Sequence, residues 1–165
     1  RVVALRGSPP YGWALGLGIG SMQACVLIVR LFDTELSYSE YSGLNPFSIL
    51  LAFAISITSG LGHALPASWQ GAKVLESNRI RPFLLSSIAR AALIMCLVLS
   101  LFVPLLLLAA LPAIALAWGP AQMTWLPSGM TPAAKQAFRR TTRQSDKHRK
   151  ASDERIAGTL IDSEE

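Results

Sequence analysis

An all-α integral membrane protein, with three or four transmembrane spans and a polar C-terminal tail, is the fold class this sequence predicts. Three observations carry that expectation. Residues 12–29 and 47–65 contain no Asp, Glu, Lys or Arg, and residues 82–119 contain only Arg90. Each stretch reaches or exceeds the roughly 18 to 20 apolar residues that a helix needs to cross about 30 Å of hydrocarbon. The charges gather in the connections and in the segment after Trp125. The overall apolar share, 52% of 165 residues, is unremarkable, so their distribution is the signal. The expected organisation is a transmembrane helical domain over residues 1–125 and a solvent-exposed charged tail over residues 126–165.

The first span follows a short basic lead holding Arg1 and Arg6. Pro9 and Pro10 are expected to keep the lead non-helical, with the helix starting near Tyr11. Tyr11 and Trp13 suit an interface. Inside the span, Gly12, Gly16 and Gly20 recur at intervals of four, which puts them on one helix face; Gly18 lies off it. Such a face lets a second backbone approach closely, and it predicts helix packing, with a partner subunit as the expected occupant. A phosphate-binding glycine loop would need a preceding strand, which is not indicated.

A connection carrying Asp33, Glu35 and Glu40 leads to Asn45 and Pro46, a turn and helix start. The second span is small and polar in its middle, with Ser56, Thr58, Ser59, Gly60, Gly62 and His63. Ser56, Ser59 and Gly60 therefore join the candidate packing residues. Pro66 is expected to end or kink this helix. Residues 67–81 carry Trp69, Lys73, Arg79 and Arg81 among apolar positions and read as a short helix on the membrane surface.

Residues 82–119 are too long for one crossing, since a single helix would reach about 55 Å. One kinked span from Ala91 would leave Arg90 at the interface; a hairpin bending near Pro104 would make four spans in all. The charges bear on the choice. The second connection has Lys73, Arg79 and Arg81, with Arg90 following, against Glu76 alone. The first connection is purely acidic, and the start of the tail is basic. Positive-inside logic puts the lead, the second connection and the tail on one side, which requires an even number of spans. Helix length and the missing polar turn favour three. The balance goes to four. The tail itself, residues 133–154, has too thin an apolar stripe for a core and is expected to order on contact.

Chemistry is sparse. His63 is the one histidine within a span and the candidate ligand or cofactor residue. Arg90 is grouped with Trp69, Lys73, Arg79 and Arg81 as a membrane-surface residue, since a cation one or two turns from a helix end can snorkel. No span holds Asp or Glu, no catalytic motif or metal-ligand spacing is present, and no aromatic-interleaved basic groove points to nucleic acid. Cys25 and Cys96 are expected to be buried free thiols. The expected role is a non-catalytic structural or accessory subunit of a larger membrane complex, without a cofactor. Its partners would be other membrane subunits and the lipid bilayer. The alternatives are a transport or channel component formed by oligomerisation and a cofactor-anchoring subunit using His63.

Overall fold

Long apolar runs with few backbone alternatives condense into helices. In the computed structural model the described residues, 3–36 and 39–162, form helices and turns with no strand among them. Side-chain surroundings are described for residues 5–36 and 39–155; Arg1 of the basic lead lies outside these ranges. The helices are α1 (Ser8–Phe32), α2 (Pro46–Leu75), α3 (Ile80–Leu99), α4 (Leu107–Pro120) and α5 (Pro132–Asp162). Four segments are long and apolar enough to cross a membrane: Leu5–Phe32, Pro46–Leu75, Ile80–Leu99 and Pro104–Gly129. The long third run is thus broken into two, as the hairpin reading has it. The break falls at residues 100–103, before a 3-10 turn at Pro104–Leu106.

Several boundaries differ from the sequence expectation, each for a physical reason. Helix α1 starts at Ser8, so Pro9 and Pro10 lie in its first turn. The first-turn N–H groups have no intrahelical acceptor, and a missing one is harmless there. Helix α2 continues past Pro66 to Leu75. Pro66 cannot donate to the Gly62 carbonyl, but Ala67, Ser68, Gly71 and Ala72 are all buried and hold the continuation in place. Residues 67–81 are therefore not one surface helix. They are the last turns of α2, a tight turn, and the start of α3. In that turn Ser77 N–H donates to the Val74 carbonyl and Asn78 N–H to the Lys73 carbonyl, with Ser77 in the left-handed region at φ 64°. This is a Schellman closure of α2.

Asn45 caps the other end of α2: its side chain accepts from Ser48 N–H at 2.8 Å, and Ser48 Oγ accepts from Asn45 N–H at 3.1 Å. The tail is helical as α5. Its start is set by Thr131, whose Oγ1 accepts from Ala134 N–H, followed by Pro132, and no Gly or Pro interrupts residues 133–155.

The chain divides into two compact units, Arg1–Gly129 and Met130–Glu165. The first extends past Trp125 because Ala121 and Pro127, in the π-helical and 3-10 turns after α4, are themselves buried. Within it, packing changes character along the helices. Toward the α1–α2 connection the core is aliphatic, built from Leu27, Leu31, Leu51, Ile55, Leu93, Leu97, Leu101 and Leu107. Ser39 Oγ donates to the Leu101 carbonyl, tying that connection to the α3–α4 break. Toward the other end, α1 and α2 meet through small residues. The outward faces carry exposed Leu15, Met22, Val26, Phe53, Ile88, Met95 and Leu116, a surface suited to hydrocarbon. Cys25 also faces outward, contrary to the expected burial, whereas Cys96 is half-buried and its Sγ donates to the Leu106 carbonyl at 3.0 Å.

Candidate functional site: a polar cluster between α1, α2 and α3

The glycine face of α1 is occupied by α2 of the same chain. A Cβ added at Gly16 would sit 2.5 Å from the Ala64 Cα and from the His63 carbonyl oxygen. One added at Gly12 would meet the Ala67 carbonyl, and one at Gly20 the Ser59 carbonyl and Gly60. Gly71 makes the reciprocal approach to Ser8 and Pro9, while Gly18 has nothing within 4 Å. These contacts run antiparallel, with α1 ascending as α2 descends. The matching face of α2 is a second series of small residues at intervals of three and four: Gly60, Ala64, Ala67 and Gly71. That series was legible in the sequence and is the signal that α1 has a partner within the chain. Of the candidate packing residues, Ser59 donates through Oγ to the Gly20 carbonyl at 2.8 Å. Ser56 instead donates to the Ala52 carbonyl of its own helix at 2.8 Å.

The close approach brings polar side chains together. Gln23 Oε1 lies 2.6 Å from His63 Nε2 and 3.4 Å from Ser59 Oγ. Gln23 was not among the sequence candidates, although it follows Gly16 and Gly20 around the same side of α1. With Oε1 as acceptor, Nε2 carries the imidazole proton and Nδ1 is left as an acceptor. His63 is 2% exposed, and its Nδ1 has no partner. A ligand bound through Nε2 would have to displace Gln23.

Arg90, on α3, lies within electrostatic reach of His63, is half-buried, and its Nε has no partner. Helix α3 begins at Ile80, so Arg90 sits midway along it, about 15 Å of helical rise from that end. The sequence expectation puts it one or two turns from a helix end; the observed start of α3 puts it midway along the helix. No Asp or Glu lies in any of the four apolar segments, so no described helix in this unit offers a carboxylate at that depth. A neutral imidazole acceptor can satisfy an N–H but not the charge. Of the remaining surface candidates, Arg79 and Arg81 flank the start of α3 and are exposed. Lys73 pairs with Glu76 at 2.7 Å, and Trp69 is half-buried on α2.

No protein-family model, curated protein or solved structure matches this chain. The functional reading therefore rests on the residues themselves.

Proposed function

We propose that this chain is a multi-pass integral membrane protein serving as a non-catalytic accessory subunit of a larger membrane complex, and that a partner helix bearing a carboxylate docks at Arg90. Arg90 itself carries this reading: a half-buried guanidinium midway along a helix of spanning length, with no acidic residue in any of the four apolar segments. A charge at bilayer depth is unfavourable by several kcal/mol and is ordinarily paired. Arginine retains its charge and binds a carboxylate through two parallel N–H donors, so an Asp or Glu on a neighbouring membrane helix is the fitting counterpart. Support also comes from α3 itself, whose outer face exposes Phe83, Leu84 and Ile88.

The test is recovery of partner membrane proteins after extraction in mild detergent. Arg90→Leu is expected to lose the partners while the chain still inserts, since added Leu favours insertion. Arg90→Lys is expected to keep part of the association. Full recovery with Arg90→Leu contradicts the proposal. A second reading, a transport pathway formed by oligomerisation, draws on the clustering of Gln23, Ser59 and His63. It would be favoured if the chain purified alone as a homo-oligomer.

A further inference from the structure

Away from Gln23, a groove runs between α2, α3 and α4. Three cavities make it up, of about 210, 290 and 490 Å3. The first and second share Trp69 and Leu85; the second and third share Leu65, Pro66, Ala89 and Ala117. The groove therefore opens at Lys73, Asn78 and Arg81 and ends among Gly62, Leu93 and Cys96. From Lys73 to Gly62 the helical rise is about 16 Å, close to half of the roughly 30 Å hydrocarbon core. The mouth carries the exposed Arg81, and Lys73 paired with Glu76, the one acid in the connection. The deep part is walled by alanines of α3 and α4.

Between the two lies Ser86. Its Oγ is unpartnered and the residue is 1% exposed. Thr58, on the wall of a cavity at the other end of the unit, is the other buried hydroxyl without a partner among the described residues. Ser21, Ser56 and Ser100 each donate to a carbonyl three or four residues back. Ser86 is a free donor just inside the mouth. The cavity at the other end of the unit, lined by Phe47, Phe53, Pro104 and Leu108 among others, has no charged residue in its walls.

We infer that the groove holds an anionic phospholipid. Its phosphate lies at Lys73 and Arg81, an ester oxygen accepts from Ser86 Oγ, and one acyl chain fills the alanine-walled part. The order of the groups along the groove matches their order along such a lipid, and the depth matches one leaflet. Anionic lipid is enriched in the leaflet that basic connections face. This inference requires the chain to be membrane-embedded but not that Arg90 docks a partner.

The experiment is native mass spectrometry of the full chain with equal amounts of dioleoyl phosphatidylglycerol and dioleoyl phosphatidylcholine, which share their acyl chains. The wild type is expected to retain the anionic lipid preferentially. Each basic residue near a membrane surface favours anionic lipid about fivefold, so Lys73→Gln with Arg81→Gln should remove most of the preference. Ser86→Ala should weaken retention of the anionic lipid, and Ala113→Phe, which fills the deep part, should reduce retention of both lipids. Helical circular dichroism identifies any variant that fails to fold. Equal retention of the two lipids by the wild type would overturn the inference, leaving a gap filled by bulk lipid. Competition by glycerol phosphate as effective as that by the lipid would also overturn it, in favour of a free-anion site.

Discussion

Gly16 shows how much a single hydrogen in place of a side chain decides here. Its Cα faces the Ala64 backbone so closely that no Cβ fits without moving one helix. Hydrophobic driving force between helices is weak in lipid, so close packing must hold α1 against α2. Gly16→Leu is expected to destabilise the first unit by about 1–3 kcal/mol through overpacking. Gly18→Leu, in open space, should change stability by less than about 0.5 kcal/mol. Unfolding by denaturing detergent measures both; equal effects would mean that the packed face is misassigned. Gln23→Leu removes the acceptor from a buried His63 Nε2 and should destabilise by about 1 kcal/mol. The trio of glycines was legible because its spacing is local. That Gln23 meets His63 was not, because it depends on the register between two helices. The depth of Arg90 was hidden for a related reason: it depends on where α3 begins, and the sequence reading allowed a start near Arg90 itself.

At the scale of elements, local chemistry named some ends and tertiary packing set others. Asn45 and Pro46 announce α2, and the structure has the full reciprocal cap there. Pro66 announced an end or a kink, and the helix does not end there, since burial of the following small residues outweighs one lost backbone hydrogen bond. The real end at Leu75 is closed by Ser77 at positive φ, a conformation in which glycine carries no Cβ penalty. Ser77→Gly is therefore expected to raise stability by about 0.5–1 kcal/mol, read as a higher melting temperature in detergent. No gain would mean that the Schellman turn is not limiting. The break between α3 and α4 offered a weaker signal. Pro104 marks it, but no polar turn accompanies it, because Ser39 from the α1–α2 connection supplies a donor to the Leu101 carbonyl.

For the whole molecule, the four apolar helices alternate in direction, with an aliphatic core toward one end and small-residue packing toward the other. The all-helical class was legible from the charge-free stretches alone. The number of helices was nearly balanced in the sequence, because length argued for three and charge for four. Alternation places the acidic connection at one end of the unit. The basic connection and Gly129, from which the tail departs, lie at the other.

In a membrane this becomes a statement about sides, and labelling of single cysteines in intact vesicles reads it directly. With Cys25 and Cys96 replaced by Ala, cysteines are placed at the exposed Thr34, Ser77 and Ser152. The four-crossing arrangement predicts that Ser77 and Ser152 label from one side and Thr34 from the other. Labelling of Ser152 from the same side as Thr34 would contradict it.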